Sequence, residues 1–160
     1  MKATIFLLIA VLLIQCNTEE KISKSTLWGI DFSDSNTTVF AQGTIEKQNP
    51  EVKIVYVVSE GALRQVEDNL YSIDLTFDNG ESLKLIVAKK TNDYNFHFPG
   101  SDAENQLVTA VFNGATLNLS ESAIAIQPEL GDNKLNIVTN MHTVDAGDFN
   151  GTLTRIPLLQ

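Results

Sequence analysis

The stretch Tyr71-Ser-Ile-Asp-Leu-Thr-Phe77-Asp-Asn-Gly-Glu81-Ser-Leu-Lys-Leu-Ile-Val87 decides the fold class. Tyr71, Ile73, Leu75 and Phe77 alternate with Ser72, Asp74 and Thr76. Successive side chains of a strand point to opposite faces, so this alternation describes a strand with one buried face. Asp78-Asn-Gly-Glu81 then interrupts it, and Leu83–Val87 resumes the apolar run. Asn-Gly accepts the positive φ of both central positions in a type I′ turn, so the segment reads as a β-hairpin.

The same pattern repeats on either side. Trp28, Ile30 and Phe32 share one face of a first run that ends at Ser33-Asp34-Ser35-Asn36, and Val39 to Ile45 makes a second, closed by Gln48-Asn49-Pro50. Val52 to Val58 is almost continuously apolar, which reads as a strand covered on both faces. Asn113-Gly114 marks a second hairpin between Leu107–Phe112 and Ala115–Leu119. Tyr94, Phe96 and Phe98 form a short aromatic run stopped by Pro99-Gly100, and Ile124 and Ile126 precede Pro128. Leu135 to Thr139 and Phe149 to Ile156 complete the set, with Asp145-Ala-Gly-Asp148 turning between them. Only Ser59 to Asn69 is ambiguous: Ser59 could cap a helix turn carrying Leu63 and Val66, or Leu63–Val66 could be a further short strand.

About nine to eleven short strands at this spacing imply an all-β fold, expected as an antiparallel sandwich, immunoglobulin-like or related. A closed, lipocalin-like barrel is the alternative. The alternation places Phe32, Val55, Ile73, Leu75, Leu85, Phe112, Leu117, Ile137 and Leu153 in one shared core.

The first sixteen residues follow different rules. Lys2 precedes Ile5-Phe-Leu-Leu-Ile-Ala-Val-Leu-Leu-Ile14, and Gln15-Cys16 follows at once. Ten apolar residues rise about 15 Å as a helix, roughly half of a bilayer's hydrocarbon core. That is short for a membrane span and suited to the core of a signal peptide. Cys16 is the chain's one cysteine, so it has no disulfide role within the chain.

Leu13-Ile-Gln-Cys16 resembles the lipobox of bacterial lipoproteins, in which cleavage leaves the cysteine as a lipid-modified N-terminus. Gln15 stands where a small residue is most common, a departure that the relaxed lipoboxes of Bacteroidota tolerate. Glu19 and Glu20 resemble the acidic signal that exports Bacteroidota lipoproteins to the cell surface; two glutamates in a solvated tether are the plainer reading. The closing Gly147-Asp-Phe-Asn-Gly-Thr-Leu-Thr154 resembles the last strand of small Bacteroidota lipoproteins with sandwich domains. The resemblance implies a signal peptide over 1–15, a polar tether over 16–24 and a single all-β domain over 25–160. It also implies a lipid anchor on the outer membrane facing the cell exterior, with a periplasm-facing orientation as the alternative. An ordinary secretory peptide with an incidental cysteine is the competing reading of Cys16.

Removing fifteen of the 160 residues leaves 145, enough for a core without disulfides. The formal charge of −9 becomes −10 once Lys2 is lost. Nucleic acid and anionic lipid surfaces both require clustered positive charge, so neither is an expected partner.

Reactive chemistry is sparse. His97 lies between Phe96 and Phe98 and therefore faces opposite to both, toward solvent; His142 sits near a turn. Two histidines and one committed thiol fall short of a zinc site. No nucleophile elbow accompanies a Ser-His-Asp set, and no glycine-rich loop precedes a helix. Asp145, Asp148 and Asn150 offer oxygen ligands near a turn and are weak calcium candidates, lacking the usual distal bidentate carboxylate. Trp28, Tyr56, Tyr71 and Tyr94 could stack on a sugar, although Trp28 and Tyr71 lie on the apolar sides of their strands. The three Asn-x-Thr/Ser patterns beginning at Asn36, Asn118 and Asn150 read as strand and turn composition.

The expectation is therefore an envelope lipoprotein with a non-catalytic binding or structural domain. Its partners are the membrane through Cys16 and an envelope protein or glycan, and no cofactor is implied. A glycan-binding or apolar ligand-carrier module is the alternative, and a hydrolase the third reading.

Overall fold

The computed structural model describes residues 26–33 and 40–159. The expected signal peptide, Cys16, Glu19, Glu20 and the tether lie outside these residues, as do Asp34 to Val39. Among the described residues there is no helix. The strands in chain order are β1 (Thr26–Leu27), β2 (Ile30–Asp31), β3 (Gln42–Gln48), β4 (Lys53–Glu67), β5 (Leu70–Phe77), β6 (Ser82–Ala88) and β7 (Asn95–Phe98). They continue with β8 (Gln106–Phe112), β9 (Ala115–Thr116), β10 (Ser122–Pro128), β11 (Leu135–Met141), β12 (Asp148–Ile156) and β13 (Leu158–Leu159).

The expected sandwich is not what forms. The sheet runs β4-β3-β12-β11-β10-β7-β8-β6-β5, and β5 pairs back onto β4, so nine strands close into a barrel. The alternative named from the sequence is the observed architecture. Closure depends on β4, a 15-residue strand that is antiparallel to β3 through Lys53–Val57 and to β5 through Val58–Glu67. Bulges at Val58/Glu60 and Gln65/Glu67 bend it between these duties. The helix considered for Ser59–Asn69 does not form; Leu63–Val66 is strand, as the competing reading had it, but as part of the strand begun at Lys53, which ends in a turn where Asn69 takes φ 62°.

Eight of the nine contacts in the ring are antiparallel, and β7–β8 is parallel through the single pair His97↔Gln106. Asn105 reinforces this thin seam. Its side chain, 1% exposed, accepts the N–H groups of Lys90 and Thr91 at 2.7 and 2.8 Å and donates to the Asp93 carbonyl at 2.8 Å. Its own carbonyl accepts the His97 N–H at 3.2 Å. Asp93 in turn accepts the backbone N–H groups of Tyr94 and Asn95, which hold its carboxyl below the usual range.

Period-two patterning fills the interior. Ile45, Leu63, Ile73, Leu85, Ile126 and Leu153 are 0% exposed, each on the inward side of its strand. Of the expected core, Phe32 is half-buried against it and Val55 is 50% exposed; the remainder are buried. Val55 fails because it alternates with buried Tyr56 and Val58 and so lies on the outer face of β4, opposite Glu46; contrary to expectation, the apolar run Val52–Val58 is not covered on both faces. Two glycines let β3 and β12 approach: a Cβ on Gly43 would meet the Thr152 carbonyl oxygen, and one on Gly151 the Thr44 oxygen.

Turn chemistry differs in detail from expectation. Asn113 and Gly114 take φ 49° and 80°, the two positive values of a type I′ turn. At Asp78–Glu81 only Gly80 is positive. Its N–H donates to Phe77 O and the Phe77 N–H to Glu81 O, giving a three-residue loop with a glycine bulge. The Trp28–Ile30–Phe32 run is also not one strand. Trp28 and Gly29, at φ 52° and 81°, turn tightly between β1 and β2. Leu27 and Ile30 then enter the core while Asn133 bonds both backbone groups of Asp31 at 3.1 Å.

Leu75→Ala is expected to lower unfolding free energy by about 2–5 kcal/mol, because it empties part of a close-packed interior. Asn105→Ala should cost about 2–4 kcal/mol by orphaning buried backbone partners, against roughly 0.5 for exposed Asn92→Ala. Urea titrations of the three variants check both values.

Candidate functional site

The outer wall carries a groove of about 670 Å³ that brings His97, Glu121, Asn140, His142 and Asp148 around one opening. Strand register explains the gathering. His97 stands opposite Ala123, Ala123 opposite Asn140, Asn140 opposite Asn150, and Asn150 opposite Glu46. Because residues in register share a face, these side chains form one row across five strands, on the outer wall.

His142 and Asp148 stand at the two ends of the turn centred on Asp145. The His142 Nδ1 lies 3.0 Å from an Asp148 carboxylate oxygen, and both side chains are about two-fifths exposed. Thr143 shapes the turn: its hydroxyl donates to Gly147 O at 2.7 Å and accepts the Ala146 N–H at 2.9 Å. A second depression of about 500 Å³ lies across this turn, lined by Asn49, Asp145 and Asp148 among others. Asp148 borders both depressions.

Ser122, the first residue of β10, also borders the groove and is 5% exposed. Its Oγ accepts the His142 backbone N–H at 2.9 Å and donates to the His142 carbonyl at 3.1 Å. The hydroxyl is therefore tied to the backbone of His142 and clasps β10 to the end of β11.

Of the weak calcium candidates, Asp145 and Asp148 share the second depression, where Asp148 also pairs with His142, while Asn150 stands apart in the row with Asn140 and Glu46. Among the described residues no three His, Cys, Asp or Glu side chains are spaced to hold a metal ion.

Of the four aromatic candidates, Trp28 and Tyr94 come together and Tyr56 and Tyr71 stand elsewhere. Tyr56 and Tyr71 are buried, and burial, followed by the charges of Glu81 and Asp68 respectively, pushes their phenols above the ordinary value. Trp28 packs edge-on against Phe96 and is tilted 60° to Tyr94 at 5.9 Å. Neither ring pair offers a flat exposed platform.

The sequence reading placed His97 on a solvent-facing strand position, and the structure agrees, with its side chain exposed on the outer wall. That reading missed the His142–Asp148 pair, although a hairpin centred on Asp145 sets those residues opposite one another. It could not bring in His97 or Glu121, because β7 and β10 become neighbours only through the sheet order.

Calcium at about 1 mM is expected to leave the melting temperature unchanged. A ligand at a hundred times its Kd stabilises by about 2.7 kcal/mol, so an upward shift of several degrees would show that a calcium site forms. Compared with family models, curated proteins and solved structures, the chain matches none.

Proposed function

We propose that this chain is a lipid-anchored cell-envelope protein whose barrel is a non-catalytic binding or structural module working through its outer surface. The observation that carries the second half is the filled lumen: Phe77, Phe96 and Phe149 are fully buried among Ile45, Ile73 and Leu85. A carrier of apolar molecules needs an internal cavity, and small barrels packed with side chains offer none. Binding is thereby directed to the wall, where the groove presents hydrogen-bonding groups. The commitment of Ser122 to the backbone argues against that hydroxyl as the nucleophile of a Ser-His-Asp set with His142 and Asp148.

The first half rests on Met1–Cys16. Acylation of Cys16 supplies a role for a lone thiol, each buried methylene contributing about 0.8 kcal/mol, with two or more chains needed for stable attachment. The proposed location is the outer membrane with the barrel facing the cell exterior, directed by Glu19 and Glu20; periplasmic orientation is the alternative.

A glycan-binding module is the second reading. It is favoured by the convergence of Glu121, Asn140, His142 and Asp148 on one polar groove.

Cys16→Ser is expected to move the protein from the membrane pellet to the soluble fraction. Retention that still requires detergent would overturn the anchor. Glu19→Ala/Glu20→Ala should leave the protein in the membrane and remove its sensitivity to protease added outside intact cells. For the second reading, a glycan array probed with the wild type and with Asn140→Ala should give signals that the variant loses.

A further inference from the structure

Closing a sheet into a barrel removes its edges, yet one strand here keeps an open one. Over Lys53–Val57 β4 is paired by β3 on one side, and β5 joins the other side only from Val58 onward. Backbone direction alternates along a strand. The Val52 carbonyl accepts the Asn49 N–H on the β3 side at 3.0 Å, and the Val57 carbonyl accepts the Asp78 N–H on the β5 side at 2.9 Å. The bonding groups of Lys53 and Val55 therefore point away from β3, past the end of β5, with no strand beside them among the described residues.

The same segment carries a concentration of exposed apolar side chains. Val52, Ile54, Val55 and Val57 are 50%, 43%, 50% and 47% exposed. An open edge with apolar side chains on both faces is a template for pairing with another strand.

We propose that this edge joins two copies of the chain through an antiparallel β4–β4 contact whose two-fold axis passes through Ile54. Three two-fold registers bring the free groups together, and two of them fail. Centring on Lys53 sets two lysines directly opposite, which is destabilising. Centring on Val55 sets Lys53 opposite Val57, whose carbonyl is already held by Asp78. Centring on Ile54 sets Lys53 opposite Val55 twice over, so the two free residues of each copy bond each other.

Charge favours the same arrangement. Lys53 pairs with Glu46 of its own copy at 2.6 Å, and Glu46 stands in register with Val55. Across the Ile54-centred contact each Lys53 thus enters the row that holds the other copy's Glu46, giving every lysine two glutamates within reach. The contact does not depend on the lipid anchor.

Disulfide trapping in the full chain, in membranes of expressing cells, tests the register. In the Ile54-centred pairing the two Ile54 residues form a non-hydrogen-bonded pair with Cα atoms about 4.5 Å apart, within disulfide range. The two Val52 residues would be about 14 Å apart, beyond it. Under copper–phenanthroline, Ile54→Cys should give at least about tenfold more covalent homodimer than Val52→Cys, above the background of the wild type with Cys16 alone. Adding Val55→Lys, an exposed side chain that would face Lys53, should reduce the Ile54→Cys dimer at least about fivefold. Equal yields from the two cysteines, an adduct with a different protein, or a dimer indifferent to Val55→Lys would each overturn the contact.

Discussion

A closed ring of strands cannot alternate direction all the way round when their number is odd. With nine strands, at least one neighbouring pair must run parallel, and here that pair is β7–β8. Parallel neighbours usually need a long crossover. This chain avoids one by overlapping the strands at only His97 and Gln106, so β8 proceeds from about where β7 stops. A seam with one register pair has little stability of its own. Its backbone groups are completed by the buried Asn105, and the wall beyond β7 by the segment after β8. There the Leu117 N–H donates to Ala110 O, and the Ser120 N–H to His142 O. The wall is continuous because side-chain amides and short non-strand segments supply bonds that strand pairing does not.

The long strand β4 resolves closure at the other side of the ring and leaves a run of exposed apolar side chains in doing so. Its second half must reach β5 while its first half still pairs β3, so the two contacts overlap by almost nothing. The consequence is a ribbon of β3 and β4 that passes the end of β5, with the Glu46–Lys53 ion pair on its outer face. Surface ion pairs of this kind contribute little stability. Here the pair places a charge on an otherwise sticky edge, which suits a contact that must be selective about register.

Filling the lumen and enlarging the wall go together. Lys47 lies over the rings of Phe112 and Phe149 at 4.9 and 5.4 Å, and Tyr56 meets Phe77 and Phe112 at 5.0 and 5.4 Å. These contacts occupy the end of the barrel at which β5 and β8 finish and β12 begins. On the outside, the His142–Asp148 turn lies between two polar depressions.

Local chemistry was legible in the sequence wherever it depended on near neighbours. Alternation identified Ile73 and Leu75 as inward-facing, Asn113-Gly114 specified its turn, and the position of His97 between two phenylalanines set its outward face. The lipobox-like Cys16 is likewise a statement of sequence alone. The Asn79-Gly80 turn shows where that legibility thins: the same dipeptide formed a three-residue loop, because an Asn-Gly pair admits more than one hairpin and the flanking register selects between them. Closure, the parallel seam, the use of Asn105 and the meeting of His97 with His142 were decided only by tertiary structure. Each depends on which distant strands become neighbours, and period-two alternation is the same in a sandwich and in a barrel. Val55 fails for a different reason: in a run apolar at nearly every position alternation does not reveal which parity faces inward, and here Tyr56 and Val58 take the core while Val55 takes the outer wall.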